Sequence, residues 1–323
     1  MTEAQKLMPK VDSMALGATD LHVSQLGIGT WAWGDRFVWG YGQGGYTDED
    51  LKKSFDATLA AGINFFDTAE LYGFPSHQSE KLLGQFKQST TQPVIIASKF
   101  FPLPWRFMKG QLISALKGSL RRLKMDRLDL YQIHWPTPRV PLERWMEALA
   151  DAVEAGLTRT VGVSNYSTEQ MRRAHEVLAK RGVPLASNQV EYSLLERAPE
   201  RNGLLAACRE LNITLIAYSP LAMGRLTGKY TPDNLPTGMR KRWYTPEHLM
   251  SIQPLIARLR EIGEIHGNKT PAQVALNWTI CKGTIPIPGA KNMRQTQDNA
   301  GALGWYLTPD EVASLDAAAD LAK

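Results

Sequence analysis

The chain is poor in cysteine and has no long apolar run. Its two cysteines, Cys208 and Cys281, are too few for a disulfide framework and wrongly spaced for a metal cluster. No uninterrupted apolar stretch reaches the roughly 20 residues that a membrane-spanning helix needs. The N-terminal segment has neither the apolar core of a signal peptide nor the Arg- and Ser-rich, acid-poor composition of a transit segment. We therefore expect a cytoplasmic protein without a membrane partner, with a flexible tail at residues 1–14.

Strong charge of one sign is also missing. The formal net charge is +5, and the basic residues are dispersed apart from the run at 240–242. A nucleic-acid surface usually shows a denser basic stripe, so we expect no nucleic-acid partner. We interpret the basic run as part of a mobile loop, which could also help to attract an anionic cofactor.

Histidine spacings typical of metal sites are absent too. None of the six histidines belongs to an H-x-H or H-E-x-x-H motif. Paired carboxylates, which a glycosidase needs, are poorly supported, because Asp67 and Glu191 are the only acids near predicted strand ends. We therefore expect no metal site and no glycosidase-like chemistry.

The sequence does contain eight short apolar runs that alternate with helical patterns. These runs end at Thr30, Thr68, Phe100, Trp135, Asn165, Tyr192, Pro220 and Gly289. Such alternation implies a parallel sheet, and eight units predict a closed (β/α)₈ barrel, that is, a TIM barrel in the α/β class. Because this barrel needs roughly 250 residues, we expect residues 1–323 to form one domain with extra segments.

Several segments lie outside a simple barrel. Alternating residues around a Thr19-Asp20 turn predict an N-terminal β-hairpin that plugs the barrel floor. Residues 221–246 form the longest irregular stretch, which we interpret as a lid over the cofactor, because such loops in compact domains are usually functional or disordered. Helical patterns at 271–281 and 309–319 exceed the barrel count and predict extra C-terminal helices.

The remaining helices are predicted from their periodicity and caps. They follow Thr47 and cover residues 77–88, 109–124, 142–155, 168–181, 201–211 and 251–266.

Residues 40–45 match the G-x-G-x-x-G pattern of a Rossmann dinucleotide site, and Asp67 follows at a suitable distance. The context argues against that interpretation, because no compact apolar strand precedes the glycines. The acidic residues 48–50 also place negative charge where a phosphate needs the positive end of a helix. We interpret the segment as a flexible aromatic loop at the barrel mouth.

Four residues at strands two to four point to chemistry. Asp67, Lys99 and His134 close three successive runs, and Tyr72 lies in the loop after Asp67. Each has a structural explanation when taken alone. Together they have none, because desolvating so many polar groups costs several kcal/mol unless they serve one another or a ligand. A lysine held charged by the carboxylate would lower the pKa of the phenol and make Tyr72 a proton donor that, with His134, polarises a carbonyl.

Over nearly its whole length the chain resembles the aldo-keto reductases. The resemblance is carried, in order, by LGIGTW, NFFDTAELYG, SKF, LYQIHWP, VGVSNY, NQVEYS, AYSPLAMGRLTGKY and IPIPGAKNMRQTQDNAGAL. It implies a barrel whose catalytic tetrad is Asp67, Tyr72, Lys99 and His134, with Tyr72 as general acid. It also implies reduction of a small aldehyde or ketone to an alcohol (EC 1.1.1.-), with NADPH/NADP+ extended across the barrel mouth.

The resemblance further implies where the cofactor is held. Ser164, Asn165 and Gln189 would hydrogen-bond the nicotinamide carboxamide, and Tyr218 would stack on its ring. Lys291 would meet the 2′-phosphate, and Arg294 could contribute differently, because some relatives have arginine where Gln295 aligns. The other implied cofactor contacts are Gly29, Thr30, Trp31, Ser219, Leu221, Gly224, Leu226, Pro288, Gly289, Gln295 and Asn299, of which those at 219–226 would follow the pyrophosphate and Asn299 the adenine.

Aromatic residues crowd the predicted mouth. Trp31, Trp33, Trp39 and Tyr41 follow strand one and Trp135 follows His134, which suits flat or apolar carbonyl compounds. We expect Trp33 and Trp135 to contact substrate. The segment WAWGDRFVWGYG resembles a plant and cyanobacterial branch that includes pyridoxal reductase-like members.

A second class of function stays open. Potassium-channel β-subunits use the same barrel and tetrad as an NADPH-binding, redox-sensing partner subunit with little turnover. This chain lacks an extended N-terminal inactivation segment, so we expect the enzyme, acting as a monomer or weak oligomer.

Overall fold

The computed structural model describes residues 12–322, which form a barrel of eight parallel strands. A separate two-stranded hairpin consists of β1 Ser13–Ala15 and β2 His22–Ser24. The eight barrel strands are β3 Gly27–Gly29, β4 Phe65–Asp67, β5 Ile95–Phe100, β6 Leu128–Ile133, β7 Thr158–Ser164, β8 Leu185–Glu191, β9 Thr214–Tyr218 and β10 Ile285–Pro286. Neighbours from β3 to β10 pair in chain order, and a parallel bridge between Gly29 and Gly289 joins the first strand to the last. The predicted (β/α)₈ barrel is confirmed.

Twelve α-helices surround the described strands. They are α1 Asp48–Ala60, α2 Gln78–Lys87, α3 Lys109–Leu123, α4 Leu142–Glu154, α5 Thr168–Ala179, α6 Ala198–Arg201, α7 Leu204–Glu210, α8 Pro246–Ser251, α9 Gln253–Ile265, α10 Pro271–Cys281, α11 Met293–Ala300 and α12 Pro309–Leu321. The helix predicted at 201–211 is instead the pair α6 and α7, because Gly203 adopts a left-handed φ of 79° between them. Helices α8 and α11 were not predicted.

The N-terminal hairpin closes the floor of the barrel. Strands β1 and β2 pair antiparallel, and the buried side chains of Leu16, Leu21 and Val23 pack against interior residues of the barrel strands. Gly17 adopts a φ of 58°, and a Cβ there would lie 2.5 Å from the carbonyl oxygen of Ala186. The predicted hairpin is confirmed. The predicted tail at 1–14 lies outside the described residues except for 12–14, and β1 begins within it.

The helices outside the barrel ring differ in part from the prediction. Helix α10 packs against β10 and α11, whereas α9 packs against α8, α10 and α12. Helices α9 and α12 therefore lie outside the ring, together with the short α8 that packs on α9, and the prediction that α10 is an extra helix is wrong. Between residues 12 and 322, no helix is long and apolar enough to cross a membrane.

One carboxylate is among the groups that hold helix α12. Asp316 accepts hydrogen bonds from Trp278 Nε1 at 2.9 Å and from Lys282 Nζ at 2.7 Å. Its side chain is 23% exposed, whereas that of Asp320, which pairs with Arg201 at 2.6 Å, is 53% exposed.

We expect Asp316→Ala to lower the free energy of unfolding by about 1–3 kcal/mol, because it leaves the buried indole N–H of Trp278 without its acceptor and removes the shorter ion pair of Lys282. The matched variant Asp320→Ala removes an exposed carboxylate and its ion pairs with Arg201 and Arg197, and it should cost less than about 1 kcal/mol. Urea denaturation followed by circular dichroism measures both. Equal losses would contradict this account of how α12 is held.

Candidate active site

The four residues singled out by the sequence meet at the carboxyl end of the barrel. Asp67 ends β4, Lys99 lies near the end of β5, His134 follows β6, and Tyr72 lies in the loop after β4. Lys99 Nζ donates to Asp67 Oδ1 at 2.5 Å and lies 3.5 Å from the Tyr72 hydroxyl. The imidazole of His134 lies edge-on to the ring of Tyr72, with centroids 5.8 Å apart. Three strands and one loop thus assemble a single site.

Burial and charge set the protonation states in this site. Burial acts to lower the pKa of Lys99, but the adjacent Asp67 and Tyr72 outweigh it, so the pKa is raised. Burial raises the pKa of Tyr72, and the opposing effect of Lys99 is smaller than the sequence led us to expect. Burial, assisted by the charge of Lys99, lowers the pKa of His134 to about 3. At neutral pH the site therefore holds a charged lysine, a protonated phenol and a neutral imidazole.

A layer of buried amides and hydroxyls lies beside Asp67. Asp67 Oδ2 accepts hydrogen bonds from Gln189 Nε2 at 2.8 Å and from Gln132 Nε2 at 3.4 Å. Ser187 Oγ donates to the oxygen of Gln132 at 3.3 Å. A Cβ on Gly162 would lie 2.3 Å from Ser187 Oγ, so glycine at this position leaves room for the layer. The amides orient the carboxylate and offset the cost of its burial.

The residues implied for the nicotinamide lie next to this layer and bond to one another. Asn165 Nδ2 donates to Ser164 Oγ at 3.0 Å, and Tyr218 donates to Asn165 Oδ1 at 3.0 Å. Ser164 Oγ donates to the carbonyl of Gln189 at 2.9 Å. Asn165 has a left-handed φ of 62°, and such strain is common at ligand sites. These side chains form one connected wall beside the tetrad.

The loop after β9 has an unusual backbone. Ser219, Ala222, Met223 and Gly224 all have positive φ, and 3₁₀ turns follow at Ala222–Thr227 and Gly238–Trp243. Leu221 is half-buried at the start of the first turn, but the side chain of Leu226 is fully buried. Leu226 can therefore offer a ligand only its backbone.

Two cations lie over the ring of one tryptophan, and a third cation, Lys229, is close enough to affect the pKa of Lys291. The side chains of Arg240 and Lys291 lie 5.0 and 5.4 Å from the ring of Trp39. Arg240 also donates to the carbonyl of Met223 at 2.9 Å, which ties the long loop to its own start. Burial lowers the pKa of Lys291, and Arg240 and Lys229 lower it further. An anion between these cations would relieve their repulsion, so the residues fit a phosphate-bearing cofactor.

The segment around Lys291 is held by caps. Gln295 Oε1 accepts the backbone N–H of Lys291 at 2.9 Å, and Asn292 Oδ1 caps Gln295 at 3.0 Å. Asn299 is buried and donates to the carbonyl of Gly289 at 3.4 Å. The implied contacts Gln295 and Asn299 thus both shape the loop after β10.

The remaining implied contacts lie near strand one. Gly29 donates to the carbonyl of Pro288 at 3.1 Å where the barrel closes, and the buried Thr30 donates to the carbonyl of Asp67 at 2.9 Å. Trp31 and Trp135 are 37% and 46% exposed. Trp33 is fully buried and donates to the carbonyl of Ala290 at 2.9 Å. The expectation that Trp33 contacts substrate is therefore wrong.

Some residues of the site were missed from the sequence. Gln132 and Ser187 lie in apolar strands, and a polar residue in such a strand is the signal that could have found them. Arg240 was noted only as part of a basic run. Among residues 12–322, no cluster of histidine, cysteine and acidic side chains could hold a metal ion.

Known proteins resemble this chain over most of its length. The model of the Aldo/keto reductase family matches residues 25–320. The chain is 46% identical over 311 residues to the chloroplastic pyridoxal reductase of Arabidopsis thaliana, covering 93% of this chain and 84% of that protein. It is 35% identical over 280 residues to the Schizosaccharomyces pombe aldo-keto reductase yakc [NADP(+)], covering 81% of this chain and 80% of that protein.

A solved structure is similar over the whole barrel. A thermostable aldo-keto reductase in complex with the inhibitor epalrestat is 30% identical, with a TM-score of 0.76, covering 95% of this chain and 99% of that chain. The names of these relatives favour an oxidoreductase over a redox-sensing partner subunit.

We expect the His134 imidazole to stay neutral across roughly pH 5–8, because its pKa is lowered to about 3. The unfolded chain takes up this proton near the ordinary value of 6.5, so acidification favours unfolding through this residue. Lys99→Met should raise the pKa but leave it below 6.5, since burial is the larger cause. Imidazole NMR titration measures it, with circular dichroism as the fold control. A His134 titration near neutral pH would contradict the assignment.

Proposed function

The chain belongs to the aldo/keto reductase family, and on that premise we propose that it reduces aldehydes or ketones to alcohols with NADPH. The observation that supports this most directly is the buried pair of Lys99 and Asp67 beside the hydroxyl of Tyr72. In this arrangement Tyr72 can protonate a carbonyl oxygen, and Lys99 can stabilise the negative charge that the phenol then carries.

The proposed chemistry divides between cofactor and protein. NADPH, when bound, supplies the hydride. Tyr72 donates its proton to the substrate oxygen, and its raised pKa keeps that proton in place at neutral pH. Lys99 compensates the phenolate that results, and Asp67 holds Lys99 charged. The neutral His134 orients the carbonyl as a hydrogen-bonding partner.

The proposed preference for NADPH rests on the cationic side chains of Arg240 and Lys291 near Trp39. A 2′-phosphate placed near Lys291 and Arg240 would bring negative charge to two side chains that now repel each other. The Schizosaccharomyces pombe relative carries NADP(+) in its name, which supports the same choice. The loop at 221–246 would then lie over the cofactor as a lid.

The proposed substrates are flat or apolar carbonyl compounds. The rings of Trp31 and Trp135 are half-exposed and directly follow Thr30 and His134 in the sequence, and the Arabidopsis relative is named a pyridoxal reductase. Pyridoxal, 4-nitrobenzaldehyde and methylglyoxal therefore form the first panel. We further propose a cytoplasmic monomer or weak oligomer whose partner is this small substrate, with no nucleic acid or membrane partner.

We expect Tyr72→Phe to lower kcat/KM for aldehydes by about 10²–10⁴-fold, because it removes the general acid. NADPH oxidation followed by absorbance measures turnover, and fluorescence titration should show unchanged NADPH affinity. Tyr306→Phe, at an exposed phenol, is the control and should keep full activity. Tight NADPH binding by the wild type with no turnover on the panel would contradict the proposal and favour a cofactor-sensing subunit.

We expect Lys291→Met to weaken NADPH binding about tenfold or more, because a hydrogen bond to a charged group contributes about 1.5–3 kcal/mol. NADH binding should change little, since NADH lacks the 2′-phosphate. Titration calorimetry with both nucleotides measures this, and the exposed Lys180→Met is the matched control. A loss in Arg294→Met but not in Lys291→Met would move the phosphate contact to Arg294.

A further inference from the structure

One buried carboxylate near the site has no part in the proposed chemistry. Glu70 lies in the loop after β4, two residues before Tyr72, and its side chain is only 4% exposed. Its Oε1 accepts the backbone N–H of Phe101 at 2.7 Å. Arg106 pairs with the same carboxylate through both terminal nitrogens, with Nη2 lying 3.2 Å from Oε2. A loop that carries the proton donor is thus bound to the loop between β5 and α3.

Arg106 also binds the backbone of its own loop. Its Nη1 donates to the carbonyl of Phe101 at 2.9 Å, and its guanidinium lies 4.9 Å from the ring centroid of Phe100. Both backbone polar groups of Phe101 are therefore engaged by the pair of Glu70 and Arg106. The guanidinium cannot swing away without breaking a bidentate contact, which gives this arrangement its geometric precision.

The backbone of Glu70 is also held by contacts with two other residues. The backbone N–H of Glu70 donates to the carbonyl of Lys99 at 3.3 Å, and the Glu70 carbonyl contacts Nδ1 of His77. These contacts hold the backbone of Glu70 in place, so its carboxylate is a fixed point of attachment for the β5–α3 loop.

The contacts of Glu70 and Arg106 reach the reacting groups through the ring of Phe101. The ring of Phe101 lies edge-on to His134, with centroids 5.4 Å apart and planes at 83°. His134 in turn lies edge-on to Tyr72. Moving Phe101 would therefore free one side of the imidazole. The same loop carries the exposed rings of Trp105 and Phe107, so its position also sets one wall of the mouth.

We propose that Glu70, through Arg106, is a positioning residue that holds Phe101 against His134 and so fixes the wall on which an aryl substrate lies. The role of this wall in substrate choice rests on the proposed function, whereas the placement of Phe101 does not. Glu70 touches no reacting atom. It acts through the backbone of Phe101, and its loss should loosen the wall rather than remove the proton donor.

The chain offers a matched buried ion pair that makes no hydrogen bond with Phe101. Glu80 is fully buried, and it accepts from Arg122 Nε at 2.6 Å and from Ser98 Oγ at 2.6 Å. It joins α2 to α3 and β5, much as Glu70 joins the adjoining loops. Variants of Glu80 therefore report the cost of losing a buried ion pair without disturbing Phe101.

The test compares Glu70→Ala and Glu70→Gln with Glu80→Ala and Glu80→Gln in the full-length protein. Hydrogen exchange at residues 101–108 and the His134 imidazole NMR shift need no turnover. We expect Glu70→Ala to speed exchange of the Phe101 amide about tenfold or more and to move the His134 resonance. Glu70→Gln should recover part of both effects, because an amide oxygen can still accept from Phe101. The Glu80 variants should change neither.

The second readout is selectivity. We expect Glu70→Ala to raise KM for 4-nitrobenzaldehyde by about ten- to a hundredfold, since small misplacements of positioning groups have effects of this size. KM for methylglyoxal, which is too small to span the wall, should change far less. Arg106→Met gives a second variant should the Glu70 variants fail to fold.

The outcomes separate the two proposals. Unchanged Phe101 exchange and an unchanged His134 shift in the folded Glu70 or Arg106 variants would overturn the positioning role. Equal selectivity losses in the Glu70 and Glu80 variants would also overturn it and leave only a stabilising pair. A wild-type protein that reduces no aldehyde, with exchange and shift changed as expected, would overturn the proposed function while the placement of Phe101 stands.

Discussion

The active end of the barrel depends on one ionic contact, the pairing of Lys99 with Asp67 in the interior. Buried charges are costly unless they are paired and hydrogen-bonded. The barrel meets this requirement with a polar layer of Gln132, Ser187 and Gln189 in place of apolar side chains. At the opposite end of the barrel, apolar side chains of the N-terminal hairpin pack against the apolar interior residues of the strands.

The mouth above this layer is held together by contacts between loops. Glu70 and Arg106 join the loops after β4 and β5, and Arg240 ties the long loop after β9 to its own start and to Trp39. Each contact uses an arginine, whose planar donors match a carboxylate or carbonyl and whose face packs on aromatic rings. The resulting walls are rich in aromatic side chains, although most of their backbone is irregular.

The success of the sequence-based predictions follows from the range of the interactions involved. Most helices were predicted because their periodicity and caps are local features. The break at Gly203 was missed, since a helical pattern does not report a left-handed residue. Trp33 was assigned to the pocket because aromatic residues serve cores and binding sites alike, and only its burial against Ala290 settled the matter.

By itself the sequence determined the order of the barrel strands and which four polar residues, Asp67, Tyr72, Lys99 and His134, meet at the carboxyl end of the barrel. Polar residues at the ends of parallel strands must converge on one face, whatever their separation along the chain. Only the tertiary structure decided that burial outweighs Lys99 in setting the pKa of Tyr72, that His134 is neutral, and that Glu70 reaches Phe101. These properties depend on distance and dielectric surroundings between segments far apart in sequence, which no local pattern encodes.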